Sequence, residues 1–276
     1  MQWDWYQATI PDRPEPLISA LACLSDQPSI RDGNGLHGYR NRTDILDQGN
    51  VVASILHGGQ NGHPNAWASG EFAPAFAEVL RSVRPVHFVT RCDSCLDFEE
   101  PGLFDRVSAL LLDFADRTHL KTSLAGDWHG REDGRTLYLG SPSSLVRLRW
   151  YEKGRQLAKL LAIEGIHRPD WCRLELRVRP EGFRRELAAS CPPEEVWGFS
   201  RWSSRALRTV SAIDVRRVAP SLVTKSSDDR ALRHMVAQYA GVLLRMQEKI
   251  GTPADVGIYI FQEIERVIAE KEGRLH

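Results

Sequence analysis

The chain has 276 residues, 42% of them hydrophobic, which is enough for one large domain or for a domain with an appendage. Its formal net charge is +0, so the charge of the whole chain gives no support to a nucleic-acid partner. No apolar run reaches the roughly 18 residues of a membrane span, and the start MQWDWYQATIPDRPEP lacks the basic and apolar regions of a secretory signal, so we expect a cytoplasmic protein with no membrane partner.

The first half of the chain predicts a strand, a hairpin, a helix, a strand and a second helix. The first strand is QWDWYQATI, and after an irregular stretch VVASILH and NAWAS flank the Gly-rich turn GGQNG. A helix begins near Pro74 and ends before Pro85, and the strand Val86–Phe98 follows it. Apolar residues at helical spacing over 103–114 predict the second helix.

The second half repeats this order. RTLYLG and LVRLRWYEK flank the turn SPSS, a helix runs from about Gly154 to Ile163, DWCRLELRVRP is a strand, and a helix begins near Glu181. We therefore predict an α+β fold whose largely antiparallel sheet is built from two β-β-α-β-α units, at 51–117 and 135–190, with the helices on one face. Aligning the third strands of the two units superposes Arg91-x-Asp93 on Arg173-x-Glu175, 82 residues apart in both pairs.

The remainder of the chain, 191–276, has the spacing of helices and predicts a mostly helical C-terminal region beside a first domain over 1–190. Thr252 fits an N-cap, with Pro253 at the first helical position and Asp255 at the third. The apolar positions are Leu232, Met235, Val236, Tyr239, Leu243 and Met246 in one helix and Val256, Ile260, Ile264 and Val267 in the next.

The five cysteines are odd in number and scattered, which argues against a disulfide framework in a chain of this length. Cys92 and Cys95 form a CxxC, but positions three apart in a strand face opposite ways and no second CxxC completes a zinc site. We interpret both as core or near-core thiols.

Positive charge is concentrated between Val146 and Arg185, where eleven basic and five acidic side chains leave a local net charge of +6. A surface that contacts phosphates requires such a concentration, although a solvated face also fits it. The candidate DNA contacts are Arg147, Arg155, Arg173, Arg177 and Arg179.

Strand alternation gives LVRLRWYEK an apolar face and a charged face with Tyr151. The apolar face carries Val146, Leu148 and Trp150, and the other carries Arg147, Arg149, Tyr151 and Lys153. Nearby cations stabilise a phenolate against its reference pKa of roughly 10, and they neutralise charge on a phosphodiester. Tyr151 is therefore a candidate nucleophile, with Arg149 and Lys153 beside it, although a strand tyrosine also commonly packs or donates a hydrogen bond.

Three carboxylates on two further strands are candidate metal ligands. Alternation places Glu175 on the charged face of DWCRLELRVRP, and it places Asp93 and Asp97 on one face of TRCDSCLDF. If these strands adjoin in one sheet, the carboxylates converge beside Tyr151, and ligands of oxygen alone suit Mg²⁺ or Mn²⁺. Cross-strand ion pairs with arginine are the alternative interpretation.

Several segments resemble the replication initiation factor family, the rolling-circle initiators of plasmids and filamentous phages. The resemblance covers most of the first 190 residues, and its most specific part is the span from Gly134 to Gly154. The segments are DWYQATI, NAWASGEF, TRCDSCLD, GRTLYLGSPSSLVRLRWYEKG and DWCRLELRVRP.

The resemblance implies a catalytic nicking domain over 1–190 in which Tyr151 attacks DNA and Asp93 and Glu175 hold the metal. It also implies site-specific nicking and rejoining of one strand at a replication origin, single-stranded or extruded as a hairpin. A 5′-phosphotyrosine intermediate and a free 3′-OH that primes synthesis would result. A host helicase and a second copy of the chain, in a homodimer, are the implied protein partners.

The His-hydrophobic-His metal motif of many other rolling-circle nickases is absent, which leaves carboxylates as the metal ligands. Glu152 is a further candidate ligand, but strict alternation turns it away from Tyr151 unless the strand bulges or ends there.

Two other classes of function stay open. One is a DNA-binding regulatory or architectural protein on the same fold without covalent chemistry. The other is an RNA-binding domain, whose sheet would need exposed aromatic residues for base stacking, whereas the face inferred here is Arg, Asp and Glu.

Overall fold

The structure, a computed structural model, describes residues 1–129, 134–161, 168–211, 239 and 241–272. Its strands are β1 (Gln2–Thr9), β2 (Ser29–Asn34), β3 (Asn41–Asp47), β4 (Asn50–His57), β5 (Asn65–Ser69), β6 (Phe88–Glu99), β7 (Thr122–Gly126), β8 (Arg135–Leu139), β9 (Val146–Glu152) and β10 (Trp171–Val178). Its helices are α1 (Pro14–Leu21), α2 (Ala73–Val83), α3 (Leu103–Thr118), α4 (Lys153–Leu161), α5 (Arg184–Ser190), α6 (Arg201–Ser211), α7 (241–250) and α8 (Pro253–Glu272).

The strands form one antiparallel sheet in the order β2-β3-β4-β5-β1-β6-β10-β9-β8-β7. Helices α2, α3 and α5 pack against β1, β9 and β6, and their apolar side chains share one core with the strands. Trp150 of β9, for example, is fully buried and stacks on Phe104 of α3, with ring centroids 5.9 Å apart. The helices therefore cover one face of the sheet, and the predicted α+β class is confirmed.

The two predicted units meet at the centre of the sheet, where β6 pairs with β10. In the second unit the hairpin β8-β9 lies directly beside β10. In the first unit the hairpin β4-β5 is separated from β6, because the N-terminal strand β1 lies between them. The units thus repeat in chain order, while β1 enlarges the first one.

Two irregularities in the pairing of β1 with β6 decide which side chains reach the face that the helices leave open. Between Trp3 and Trp5, β1 has one residue more than β6, and this extra residue is Asp4. Between Gln7 and Ala8 the register shifts again, and here the extra residue is Thr90 of β6. A bulge reverses the alternation of side chains beyond it. Trp3 consequently faces the core, whereas Trp5 pairs with Asp93 on the open face.

Strands β2, β3 and β7 and helix α1 lie in stretches for which the sequence predicts no element. All residues of β2 and of β7 are exposed. Strands β2 and β7 lie at the two edges of the sheet, so they carry none of the apolar alternation that marks a half-buried strand.

Contacts divide the chain into two units, Met1–Ser221 and Leu222–His276. The described part of 191–221 packs into the first unit, where Trp197 is buried and its Nε1 donates to Ser94 of β6 at 2.9 Å. Within Leu222–His276, Thr252 and Asp255 cap α8 reciprocally. The backbone N–H of Asp255 donates to Oγ1 of Thr252 and the backbone N–H of Thr252 donates to Oδ2 of Asp255, which confirms the predicted helix start. Leu232, Met235 and Val236 lie outside the described residues. Among the described helices, none is long and apolar enough to span a bilayer.

Candidate active site

Tyr151 lies near the end of β9 and faces away from the helical layer, as alternation predicts. Its side chain is only 2% exposed, because Arg149 of the same strand and Lys153 at the start of α4 lie over the ring. The Arg149 guanidinium carbon lies 3.6 Å from the ring centroid, and Nζ of Lys153 lies 5.8 Å from it. The expected cations are therefore present, stacked on the ring.

The hydroxyl of Tyr151 donates a hydrogen bond to Oε2 of Glu175, on the neighbouring strand β10, at 3.2 Å. Burial raises the pKa of Tyr151 well above its usual value, and the Glu175 charge raises it further, against the smaller opposing effects of Arg149 and Arg173. The expected lowering by the neighbouring cations is present, but the net pKa of Tyr151 is raised. Desolvation outweighs the neighbouring positive charges.

Glu175 is the partner that accepts the phenol hydrogen bond, and its own acidity is perturbed. Burial raises the pKa of Glu175 to about 7, and the charges of Asp93 and Asp4 raise it as well, whereas Arg149 lowers it. Arg149 Nη1 lies 3.7 Å from Oε1, too far for a close ion pair. A carboxyl group of this kind exchanges its proton near neutral pH.

Asp93, on β6, is 1% exposed and is held by Arg91, whose Nε donates to Oδ1 at 3.0 Å. Burial raises the pKa of Asp93, and Arg91 opposes the shift. Asp97 lies two positions further along the same face, and Arg173 donates to its two oxygens at 2.6 and 2.7 Å. Each carboxylate of β6 thus has an arginine partner. The partner of Asp97 lies on the neighbouring strand, as the alternative interpretation anticipates, whereas that of Asp93 lies on the same strand.

Asp4 is a fourth carboxylate on this face, and it forms an ion pair with Arg173. Strand alternation does not indicate Asp4 as a site residue, because alternation alone does not reveal the bulge that carries it. The signal that could have found it is the sequence WDW, an acidic residue enclosed by two large aromatic residues near the start of β1.

The carboxylates on the open face have the oxygen chemistry that Mg²⁺ and Mn²⁺ prefer. Their arrangement is less suited, because arginines hold Asp4, Asp93 and Asp97. Among the described residues, no group of three or more His, Cys, Asp or Glu side chains is arranged to hold a metal ion. The donor set fits a divalent cation in kind, and the present geometry does not preform its site.

A pocket of about 90 Å³ opens beside Glu175 and is lined by four arginines, Arg91, Arg147, Arg149 and Arg177, together with Tyr138. The Nε atoms of Arg147, Arg149 and Arg177 are buried and make no hydrogen bond to any described residue. Burial lowers the pKa of Arg177, and the neighbouring Arg179 and Arg91 lower it further. Buried guanidinium nitrogens that lack a hydrogen-bond partner, close to further positive charges, favour the binding of an anion.

The open face also carries aromatic residues, contrary to the face inferred from the sequence. Trp5 of β1 and Trp67 of β5 have nearly parallel rings, with an interplanar angle of 7° and centroids 6.3 Å apart. The Arg91 guanidinium carbon lies 4.3 Å from the Trp5 ring centroid. Trp5 reaches this face through the bulge at Asp4.

Residues 88–190 match the replication initiation factor family. The matched segment begins at β6 and ends at α5, and it contains Asp93, Tyr151 and Glu175. The inferred resemblance is therefore confirmed, although its opening segments DWYQATI and NAWASGEF lie outside the match.

The fold is similar to a solved structure described as a rolling circle replication initiator protein from Geobacillus stearothermophilus. The two chains are 21% identical, with a TM-score of 0.51 over 75% of this chain and 84% of the other. At this identity the likeness shows a shared fold. No curated protein matches the chain in sequence.

The replication initiation factor segment also contains two candidates that the structure places elsewhere. Glu152 lies across the sheet from Tyr151, where it accepts hydrogen bonds from the backbone and the guanidinium of Arg135, at 2.7 and 3.0 Å. Nε of Arg155 lies 3.5 Å from Oε1 of Glu152, and both residues line a separate pocket together with Arg135. The strand does not bulge here, so Glu152 is not a ligand at the Tyr151 site and Arg155 is not one of its cations.

Proposed function

We propose that the protein initiates rolling-circle DNA replication by nicking one strand at an origin and later rejoining it, with Tyr151 as the nucleophile. The observation that carries the proposal is the hydrogen bond from Tyr151 to Glu175, a buried acid with a pKa of about 7, beside a pocket of arginines. A nucleophile, a proton acceptor and an anion site are the parts that attack on a phosphodiester needs.

In the proposed reaction, the phenol oxygen of Tyr151 attacks the phosphorus atom of a single-stranded phosphodiester. The phenol proton passes to Glu175, a bond forms between the phenol oxygen and phosphorus, and the bond from phosphorus to the 3′ oxygen breaks. The proton held by Glu175 then passes to the 3′ oxygen, which leaves a free 3′-OH and a 5′-phosphotyrosine. Rejoining is the reverse, and it conserves the energy of the phosphodiester.

The high pKa of Tyr151 makes Glu175 necessary in this scheme. A buried phenol does not ionise near neutral pH by itself, so the proton has to leave as the bond to phosphorus forms. A phosphate bound in the arginine pocket would bring its own negative charge to the site. Arg149 and Lys153 would neutralise the further negative charge that develops on the phosphate oxygens during attack. Burial lowers the pKa of Lys153, and a bound anion would oppose that effect.

DNA binding in this proposal rests on the arginines of the open face. Arg147 of β9 and Arg177 of β10 line the anion pocket, and Arg179 is exposed directly after the end of β10. Arg173 is committed to Asp97 and Asp4, so we assign it to holding the site together. The host helicase and the homodimer implied by the resemblance, and the cytoplasmic location expected from the sequence, belong to the same proposal.

A divalent cation, Mg²⁺ or Mn²⁺, is part of the proposal. Asp93 and Glu175 would hold it, with Asp97 as a further candidate. When bound, such a cation acts as a Lewis acid on a phosphate oxygen.

A non-catalytic DNA-binding protein is the second candidate function. The observation that favours it is the burial of Tyr151, whose ring is covered by Arg149 and whose hydroxyl is hydrogen-bonded. The two functions differ in whether a covalent bond to DNA forms.

The test is to incubate the protein with single-stranded origin-like DNA and Mn²⁺ and to look for an adduct that survives denaturation. We expect the adduct with the wild type and its loss in Tyr151→Phe. Tyr6→Phe is the matched control, because Tyr6 is equally buried but lies on the core face, where its hydroxyl is bonded to His87 at 2.8 Å. An adduct that forms equally well in Tyr151→Phe would refute the proposal.

A further inference from the structure

The open face of the sheet has a second pocket, of about 370 Å³, on the other side of Arg91 from the anion pocket. Trp5 and Trp67 line it, with Gln7, Thr90, Arg91 and Arg179. Its size falls in the range of about 300–1,000 Å³ that is usual for small-ligand sites. The catalytic scheme above makes no use of this pocket.

We infer that this pocket binds an unpaired base of single-stranded DNA by stacking on Trp5 and Trp67. The inference rests on the proposed function, since it names the form of DNA that the same face would accept. The two rings are within 7° of parallel, so a base that stacks on one ring is parallel to the other as well. Tryptophan rings on a sheet are the platforms that proteins use to bind single strands.

Polar groups in the pocket are fixed in place and could contact the edge of a base. Gln7 accepts from Nε1 of Trp5 at 3.3 Å and donates to Asn65 at 2.6 Å. Asn65 in turn lies 3.4 Å from the hydroxyl of Thr90. The network holds Gln7 in one orientation while leaving its amide group further capacity to donate and accept.

Arg91 connects the two pockets, because it lines both of them. Its guanidinium stacks on Trp5 and is hydrogen-bonded to Asp93. Arg42 lies 5.8 Å from the Trp67 ring centroid on the other side of the tryptophan pair. A nucleotide with its base on Trp5 would thus have cations on both sides for the phosphates that flank it.

The position in the sheet also fits a strand that continues to Tyr151. Trp5 of β1 is level with Arg147 of β9, through Asp93 of β6 and Arg177 of β10, and Arg147 is four residues from Tyr151. The separation is therefore about 14 Å across the sheet and about 13 Å along it, or about 19 Å in all. Single-strand sites of about 4–16 nucleotides per domain extend further than this. One strand of DNA can therefore occupy both pockets, whereas a duplex keeps its bases paired and cannot place one against Trp5.

The test measures binding of a labelled oligothymidylate of about 12 nucleotides and of an abasic strand of equal length by fluorescence anisotropy. All variants are made in a Tyr151→Phe background without divalent cations, so covalent chemistry does not enter the measurement. We expect Trp5→Ala and Trp67→Ala to bind the oligothymidylate about tenfold more weakly and the abasic strand unchanged. Trp5→Phe retains an aromatic face and should keep most of the affinity.

Trp128→Ala is the matched control. Trp128 is also partly buried and also has an arginine near its ring, Arg135 at 5.7 Å, but it packs on Phe104 in the helical layer. The affinity of Trp128→Ala for the oligothymidylate should equal that of the parent. Thermal unfolding verifies the fold of every variant. Equal binding of the abasic strand and the oligothymidylate by the parent, or unchanged affinity in both Trp5→Ala and Trp67→Ala, would overturn the inference. Loss of affinity in these variants supports it even if no tyrosine adduct forms, so the two failures are distinguishable.

Discussion

The hydroxyl of Tyr151 lies 3.2 Å from Oε2 of Glu175, and both side chains are buried on the open face of the sheet. Burial raises the pKa of each, but only that of Glu175 comes to lie near neutrality, at about 7. Among these two groups, the carboxylate is therefore the one that can exchange a proton under physiological conditions. The predictions below follow from this pair and from its surroundings.

Glu175→Gln should slow formation of the covalent adduct by about 10²- to 10⁴-fold, the usual contribution of a general base. Glutamine has nearly the same shape and keeps the packing of the site, so DNA binding measured in the Tyr151→Phe background should change little. Single-turnover rates at saturating DNA check the prediction. A wild-type rate in Glu175→Gln would exclude this residue as the proton acceptor.

The rate of adduct formation should rise with pH and level off above about pH 7, because Glu175 accepts the phenol proton only after it has lost its own. The inflection should disappear in Glu175→Gln. A profile that keeps the inflection in this variant would assign it to another group. The measurement is single-turnover adduct formation from pH 5.5 to 8.5 or so.

Stability should carry the opposite dependence on pH. The pKa of Glu175 is higher in the folded chain than its ordinary value of 4.5, so its favourable contribution is complete at low pH and is lost as pH rises through about 7. The difference in free energy of unfolding between Glu175→Gln and the wild type should therefore favour the variant more at pH 8 than at pH 4.5, by at least about 1 kcal/mol. Urea denaturation of both proteins at the two pH values tests this, and a difference that is the same at both pH values would contradict it.

Arg177→Gln and Arg147→Gln should weaken single-stranded DNA binding and should each reduce the slope of log affinity against log salt by about 1. Each of these arginines lines the anion pocket with an Nε that has no hydrogen-bond partner among the described residues, so removing one removes a phosphate contact. Arg155→Gln is the control, because Arg155 lies near Glu152 across the sheet. Equal salt slopes for all of these variants would mean that DNA does not enter the pocket.

Glu152→Ala should destabilise the protein without removing the nicking chemistry. The change leaves Arg135 without its principal buried partner, although Asp105 remains 2.6 Å from it, and breaking a buried ion pair costs about 3–5 kcal/mol. We expect thermal unfolding at a lower temperature, with an unchanged amount of adduct per folded molecule and an unchanged Mn²⁺ requirement. A selective loss of adduct at full stability would return Glu152 to the site.

Features that depend on local periodicity are predictable from the amino-acid sequence. Alternation in β9 and β10 sorted Trp150 and Leu174 to the core and Tyr151 and Glu175 to the open face, and the structure agrees. The α+β class and the cap of α8 at Thr252 were predictable for the same reason, since capping and alternation involve neighbours in the chain.

Features that depend on residues distant in the chain are visible in the three-dimensional structure and are not predictable from the sequence. The insertion of β1 beside β6, with its bulge, brings Asp4 and Trp5 to the open face, and no periodicity in the chain encodes that pairing. The pairing of Glu152 with Arg135 similarly joins strands across the β8-β9 hairpin. Burial is the property that changed the chemistry most, because the sequence shows which cations lie near Tyr151 but not how completely the assembled sheet removes it from water.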